Sequence, residues 1–356
     1  MAEDSTPKTG VLLIQLGTPE APRSPEVRTY LEEFLNDPYV IDSHPIARWL
    51  LLNLIILPRR PKASAEAYQQ VWTPEGSPLL VHTEALAEAV RPKLADYPVA
   101  IGMRYGQPSL AKGLDELVQA GCQRIIALPL YPQEAWSSTR TAVEKAREDL
   151  LRIAPSAELL FVPPFFDDEG FLEAGAEVAR TLLADFRPDH HLFSFHGLPA
   201  RHIQKADPSG TWCLQKADCC EQMQAQNKRC YRAQCLFTAR ALASRLDIPD
   251  EAWTMGFQSR LTRGWIEPFS DVILVDLAKA GTKRLAVFCP AFVADCLETL
   301  EEIAIRAKED FLAAGGEDLI LIPSLNSTPR WVDAVVDLVR KRDRGELGDI
   351  DYSMFR

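Results

Sequence analysis

The sequence predicts an α/β fold made of two Rossmann-like domains, each a parallel sheet flanked by helices. Short apolar runs, which are typical of buried strands, alternate along the chain with longer segments of helical periodicity. This alternation occurs twice, on either side of a proline-rich and acidic stretch at residues 162–169. Strands joined by crossover helices run parallel, because each crossover returns the chain to the same end of the sheet. The 356 residues are also enough for two hydrophobic cores of ordinary size.

The first half contains four predicted strands, at residues 10–16, 98–103, 124–130 and 159–162. The turn after the first strand, at residues 17–19, lacks the glycine spacing of a dinucleotide-binding turn. An amphipathic helix is predicted at residues 28–35. A strongly apolar segment follows at residues 46–57, and it is shorter than the roughly 20 residues of a membrane-spanning helix.

The second half repeats the pattern, with predicted strands at residues 191–195, 253–257, 285–289 and 319–322, and a last helix at 329–340. Residues 1–163 are therefore predicted to form the first domain and residues 164–328 the second. Residues 329–356 are predicted to be a terminal helix and tail.

Charge and composition disfavour some classes of function. The chain has 50 acidic and 39 basic residues and a net charge of −11, which argues against binding to nucleic acid. Residues 1–8 are polar and partly acidic, without the pattern of a secretion signal or a transit peptide. We therefore expect a cytoplasmic protein.

Candidate catalytic residues follow two of the predicted strands. His196 follows the strand at 191–195 and precedes a glycine. Asp295, Glu298 and Glu302 follow the strand at 285–289, and their offsets of three and four place them near one face of an α-helix that Asp295 can cap. The carboxyl ends of parallel strands are where open α/β sheets bind ligands. A solvated acidic face that stabilises the helix dipole is the alternative interpretation of the three carboxylates.

Five of the eight cysteines lie within 23 residues, and they are Cys213, Cys219, Cys220, Cys230 and Cys235. In a chain without a secretion signal, such clustering favours metal ligands over disulfides. Zinc sites usually contain a CxxC pair, and this segment has none.

Six motifs, taken in order, resemble the ferrochelatase family, whose members insert ferrous iron into a porphyrin to make heme. They are LLIQLGTP at 12–19, MRYG at 103–106, LPLYPQ at 128–133, SFHGLP at 194–199, FQSR at 257–260 and CPAFVADCLETLEEI at 289–303. Together they span nearly the whole chain. The resemblance implies two chelatase-type domains with the active-site cleft between them. It also implies that the terminal helix and tail at residues 329–356 pack on the first domain.

The resemblance also implies which residues act. His196 and Glu298 would handle the iron and the pyrrole protons, and Asp295 and Glu302 would extend an acidic route. Porphyrin contacts are expected from Leu16, Arg60, Ser77, Arg104, Tyr105, Tyr131, Ser259 and Trp265. Cys296 stands where some members have histidine, which puts any role for a second imidazole there in doubt.

Relative to the minimal family pattern, residues 210–234 are interpreted as an insertion that precedes a helix at residues 235–245. Some ferrochelatases bind a [2Fe–2S] cluster through four cysteines. The resemblance favours such a cluster here, held by Cys213, Cys230, Cys235 and either Cys219 or Cys220, with zinc as the alternative.

Residues 46–60 correspond by resemblance to an apolar lip at the mouth of the site. There Trp49, Leu50 and Leu54 can admit an apolar macrocycle and touch a bilayer, so peripheral association with the inner face of the cytoplasmic membrane is expected. The lip favours protoporphyrin over coproporphyrin as the substrate. The oligomeric state stays open.

Two other functions compete with iron insertion. A cobalt chelatase acting on a corrin precursor would share the architecture, but such enzymes rely on paired histidines and only His196 is well placed. A sensor that binds heme or an iron–sulfur cluster would keep the fold without turnover. It would not need the acidic residues of the second domain.

Overall fold

The computed structural model describes residues 7–261, 264–350 and 352. The chain forms two compact units. The first comprises residues 7–131, 136–164 and a C-terminal stretch from Val332 to Tyr352, and the second comprises residues 132–135 and 165–331. Residues 353–356 of the predicted tail and residues 1–6 lie outside the described residues.

The first unit is built on a four-stranded parallel sheet. Its strands are β1 (Thr9–Thr18), β2 (Val99–Gly106), β3 (Arg124–Pro129) and β4 (Glu158–Phe161), in the spatial order β2-β1-β3-β4. The helices of this part of the chain are α1 (Ser24–Leu35), α2 (Pro45–Leu51), a π-helix (Leu52–Ile56), α3 (Arg60–Val71), α4 (Pro78–Val90), a 3₁₀-helix (Arg91–Leu94), α5 (Leu110–Gln119), a π-helix (Trp136–Arg140) and α6 (Thr141–Ile153).

The second unit repeats this topology. Its strands are β5 (His190–His196), β6 (Trp253–Gln258), β7 (Arg284–Phe288) and β8 (Asp318–Leu321), all parallel and in the order β6-β5-β7-β8. The helices here are α7 (Glu169–Phe186), α8 (Ala200–Lys205), α9 (Tyr231–Arg245), a 3₁₀-helix (Asp250–Ala252), α10 (Ser270–Lys279), α11 (Leu297–Thr299), a π-helix (Leu300–Ala307) and α12 (Lys308–Ala313). The last helix, α13 (Pro329–Asp343), lies mostly in the first unit. The predicted fold class is confirmed.

The central strand of each sheet forms the core of its unit. Val11, Leu12, Leu13 and Ile14 of β1 are fully buried, and so are three apolar side chains of β5. Parallel strands covered by helices on both faces need continuous apolar runs, which explains why these strands were visible in the sequence. In each sheet the chain passes from the central strand to one side and then to the other, so the sheet has a switch point at the carboxyl end of that strand. His196 ends β5 at the switch point of the second sheet.

The acidic segment after β7 differs from the predicted single α-helix. The helix α11 has only three residues and continues directly as the π-helix Leu300–Ala307, with its wider turn. Its N-cap is Cys296, so the prediction that Asp295 caps this helix is wrong. The start of α9 is also corrected, since it begins at Tyr231 and not at Cys235. In the described part of the chain, no helix combines the length and the apolar character needed to cross a bilayer.

Candidate active site

The imidazole of His196 is oriented by the backbone of the turn that follows it. Its Nδ1 lies 2.6 Å from the carbonyl oxygen of Gly197. A carbonyl can only accept, so in the neutral ring Nδ1 carries the proton and Nε2 keeps its lone pair. The side chain is half-exposed, with Trp265 and Phe292 at 6.3 Å between ring centroids. In its neutral form His196 therefore has Nε2 as an acceptor, on a ring that lies near Trp265 and Phe292.

Gly197 is required by the close approach of the neighbouring strand. Its N–H donates to the carbonyl of Gln258 at 2.8 Å. A Cβ at this position would lie 2.8 Å from that carbonyl oxygen and 3.1 Å from an atom of the Trp265 ring. A side chain here would displace either the strand or the ring beside His196.

Glu302 holds the loop that follows β6. Its carboxylate accepts the backbone N–H of Ser259 at 2.8 Å and also the hydroxyl of Ser259. Ser259 has a left-handed backbone with φ of 62°, a conformation that non-glycine residues adopt only when their surroundings impose it. Glu302, predicted as part of the acidic route, and Ser259, predicted as a porphyrin contact, are therefore hydrogen-bonded to each other.

Gln258 is a site residue that the sequence analysis missed. Its Nε2 donates to the backbone carbonyl of Glu298 at 2.7 Å and lies 3.4 Å from Glu302. Its Oε1 accepts from the hydroxyl of Ser194 at 2.7 Å. The buried amide thus ties β5 and β6 to the acidic segment. The signal was present, because Gln258 lies inside the FQSR motif at a strand end.

Glu298 lies in the first turn of α11 and its side chain is half-exposed. Its carboxylate neighbours the thiol of Cys296. Burial raises the pKa of Cys296 well above its usual value, and the Glu298 charge adds to this rise, so that cysteine stays a neutral thiol. Glu298 is therefore a partly accessible carboxylate of the segment, as is Glu302, whereas Asp295 is buried.

Asp295 is used differently from the prediction. It is buried, and its carboxylate accepts from Thr299 Oγ1 at 3.0 Å, from the N–H of Ser324 at 3.2 Å and from Asn326 Nδ2 at 2.8 Å. Its own N–H donates back to Asn326 Oδ1 at 2.8 Å. Donors from the protein itself therefore occupy both oxygens of the Asp295 carboxylate. Asp295 is placed to fix the loop after β8.

In the first unit, Arg104 and Tyr105 share one acceptor. The hydroxyl of Tyr105 donates to Asp37 at 2.9 Å, and the guanidinium of Arg104 pairs with the same carboxylate. Thr141 also donates to Asp37 and accepts from Arg104 Nε at 2.7 Å. The Tyr105 ring is fully buried against Phe34, so the prediction that it packs on a macrocycle is corrected. Tyr105 positions Asp37 and Arg104.

The other predicted contacts of the first unit have different exposures. Ser77 is buried and accepts from the hydroxyl of Thr18 at 2.7 Å. Leu16 is half-buried near the end of β1, whereas Arg60 is exposed at the start of α3. Tyr131 is buried, and among the described residues its hydroxyl has no hydrogen-bond partner.

The cysteine-rich insert is folded around one carboxylate. Asp207 accepts the backbone N–H groups of Ser209, Trp212 and Cys213 at 2.8 to 2.9 Å, together with the Ser209 hydroxyl. Burial opposes ionisation of this carboxyl group, but the hydrogen bonds prevail and lower the pKa of Asp207 to about 2. Asp207 therefore fixes the loop that carries the first cysteine.

All five clustered cysteines are buried as free thiols. Cys219 and Cys220 have their sulfurs 3.6 Å apart, and Cys230 is hydrogen-bonded to both Cys213 and Cys220. The contact with Cys213 raises the pKa of Cys230 to about 12, because adjacent sulfurs oppose a second negative charge. Among the described residues, no three acidic, histidine or cysteine side chains are arranged around a common metal position. The described thiols therefore contact one another in series, from Cys213 through Cys230 and Cys220 to Cys219, without enclosing a preformed metal position.

Comparisons with known proteins agree over nearly the whole chain. A family model described as Ferrochelatase matches residues 8–343. The chain is 46% identical over 343 residues to a ferrochelatase of Coxiella burnetii, covering 96% of each chain. It is 48% identical over 332 residues to one of Azotobacter vinelandii, covering 93% of this chain and 98% of that one. The solved structure of SirB from Bacillus subtilis with Fe3+ has a TM-score of 0.54 at 13% identity, covers 97% of this chain and 100% of that chain, and supports the fold alone.

Proposed function

This chain belongs to the ferrochelatase family, and we infer from that membership that it inserts ferrous iron into a porphyrin in the synthesis of heme. The reaction has three physical requirements. Water must leave the Fe²⁺ ion, the flat macrocycle must bend so that its nitrogens are accessible, and two pyrrole protons must be removed. Contacts away from the reacting centre can stabilise the bent ring, while proton removal needs a positioned base.

We propose that His196 and Glu298 act on the iron and the pyrrole protons. The observation that carries this proposal is the contact of His196 Nδ1 with the Gly197 carbonyl, which in the neutral ring leaves Nε2 as the acceptor nitrogen of a half-buried side chain. Neutral imidazole in that tautomer can accept a pyrrole proton or ligate Fe²⁺. Glu298 supplies a partly accessible carboxylate from the neighbouring segment.

Glu302 supports the site from behind by fixing the loop at Ser259. Asp295 supports it by fixing the loop at Asn326. Both belong to the acidic route predicted for protons, and in this proposal they act chiefly by holding their neighbours in position. Bound porphyrin would contact Leu16, Arg60, Ser77, Arg104, Tyr131, Ser259 and Trp265.

The test of this function is iron insertion by His196→Ala, measured as loss of porphyrin fluorescence under anaerobic conditions. We expect activity to be lost while the melting temperature is kept. His190→Ala is the matched control, because His190 lies at the other end of the same strand and contacts Thr254 at 2.8 Å. Parental activity in His196→Ala would refute the assignment.

We propose that the apolar lip contacts the bilayer surface. Five large apolar side chains of α2 and the following π-helix, Ile46, Trp49, Leu50, Leu54 and Ile55, are 43% to 66% exposed. Contiguous exposed apolar side chains mark interaction surfaces, and these lie on neighbouring turns. The same surface favours protoporphyrin, which has fewer carboxylates than coproporphyrin. Trp49→Ser with Leu54→Ser should reduce sedimentation with anionic vesicles, and unchanged sedimentation would contradict the proposal.

We propose that Cys213, Cys220, Cys230 and Cys235 hold a [2Fe–2S] cluster. Cys220 is preferred to Cys219 because it contacts Cys230 directly and acts electrostatically on Cys235. Four buried cysteine sulfurs suit this group, whose binding would deprotonate the thiols and join the ends of the insert. Iron and acid-labile sulfide in equal amounts in the purified protein would support the cluster. Zinc in their place would contradict it and indicate a structural zinc site. In Cys230→Ser the metal should be lost, whereas Cys219→Ser should retain it.

A further inference from the structure

Tyr231 connects the cysteine-rich insert to the strand end that carries His196. It is the first residue of α9 and directly follows Cys230. Its buried hydroxyl donates to the backbone carbonyl of His196 at 2.8 Å. The same hydroxyl is a hydrogen-bonding partner of the Cys235 thiol, one helical turn further along α9. One side chain therefore lies between two of the clustered cysteines and the backbone of His196.

The carbonyl of His196 needs this donor because, within the described strands, β7 does not supply one. The pairing of β5 with β7 ends at Phe193 and Phe288, three residues before His196. On the other side, β6 pairs up to Gln258 and receives the N–H of Gly197. The final peptide of β5 is thus held by β6 on one side and by the Tyr231 hydroxyl on the other. A backbone carbonyl left without a donor in such a setting is costly, and the peptide would shift to find one.

We propose that Tyr231 is a positioning residue for iron insertion: its hydroxyl fixes the His196 peptide, and through it the imidazole that acts on the porphyrin. This inference rests on the function proposed for His196. The imidazole is attached to the Cα next to the bonded carbonyl, and its Nδ1 is bound to the carbonyl of the following residue. Rotation of the His196 peptide would therefore move both the ring and its hydrogen-bond acceptor. Reacting groups must be held to about 0.5 Å, and a displacement of about 1 Å can cost about 100-fold in rate.

The experiment compares Tyr231→Phe with Tyr97→Phe. Both substitutions remove only a hydroxyl, and Tyr97 donates to Asp343 at 2.7 Å in the first unit, outside the proposed site. The rate constant kcat and the KM for porphyrin are measured under anaerobic conditions, with iron, zinc and acid-labile sulfide determined on the same samples. Hydrogen exchange of the peptide at residues 194–199 is followed by mass spectrometry in both variants and in the parent.

For Tyr231→Phe we expect kcat to fall about tenfold, with an unchanged KM, an unchanged metal content and faster exchange at residues 194–199. Tyr97→Phe should match the parent in all four. A fall in kcat of less than threefold, an equal fall in both variants, a rise in KM that accounts for the loss, or unchanged exchange would overturn the positioning role. A loss of metal in Tyr231→Phe would overturn it too, since the effect would then act through the cysteines. A parent without activity would refute the proposed function instead, and the exchange measurement would still decide whether Tyr231 holds the strand end.

Discussion

At the residue scale, the pair of Ser259 and Glu302 shows how the site holds a strained backbone. A left-handed serine costs of the order of 1 kcal/mol or more, and here one carboxylate offsets that cost by accepting both the N–H and the hydroxyl. The two residues are 43 positions apart in the chain. Each could be predicted as a site residue from its motif, but their contact could not, because neither residue type nor spacing indicates long-range partners.

We predict that Glu302→Gln lowers kcat for iron insertion about tenfold, because an amide supplies only one oxygen acceptor for the two donors of Ser259. Ser259→Gly should retain more activity than Glu302→Gln, since glycine adopts a φ of 62° without strain. Steady-state kinetics of the two variants checks this. Equal losses in both, or a normal rate in Glu302→Gln, would contradict the prediction.

At the element scale, the strands were predicted well and the helix boundaries less well. The strand predicted at 285–289 is observed at Arg284–Phe288. It could be predicted because a parallel strand that is buried on both faces must be a continuous apolar run. The π-helix Leu300–Ala307 was missed, since an α-helical period of 3.6 fits the same carboxylates. The start of α9 was missed because residues 210–234, which include Tyr231, were interpreted as an inserted segment that carries metal-binding cysteines.

The insert before α9 offers a prediction on pH. The pKa of Asp207 is about 2 in the folded chain, below the ordinary value of 3.8, so its contribution to stability is complete above about pH 4 and is lost as the pH falls through 2. Asp207→Ala should therefore open the insert at neutral pH, since three backbone donors lose their acceptor. Limited proteolysis between residues 207 and 230 measures the opening.

The control for this experiment is Asp218→Ala, an exposed residue of the same insert. Its cleavage rate should equal that of the parent. The parent itself should become as sensitive as Asp207→Ala only below about pH 2, where cleavage is followed with an acid-stable protease. An insert that resists cleavage in Asp207→Ala at pH 7 would show that other contacts maintain it.

At the scale of the whole molecule, the first unit is completed by the C-terminal end of the chain. Residues 332–352 belong to it, although about 170 positions of the second unit precede them. Two contacts bind α13 near its end, because Asp343 accepts from the Tyr97 hydroxyl at 2.7 Å and from Arg124 Nη1 at 2.9 Å. Burial, together with the hydrogen bond to Asp343, raises the pKa of Tyr97. Such long-range closure cannot be deduced from helical periodicity alone, and it was expected here only from the family resemblance.

We predict that Asp343→Ala lowers the free energy of unfolding by about 1 to 3 kcal/mol, the range for losing two hydrogen bonds of which one joins two charges. The side chain of Asp343 is 23% exposed, so water replaces its contacts only in part. Asp333→Ala on the same helix is the control, because Asp333 is 58% exposed and its pair with Lys93 is a surface ion pair worth at most about 1 kcal/mol. Urea unfolding followed by tryptophan fluorescence measures both variants. A loss in Asp333→Ala as large as that in Asp343→Ala would mean that charge near the helix end, and not the buried contacts, holds the C-terminal stretch on the first unit.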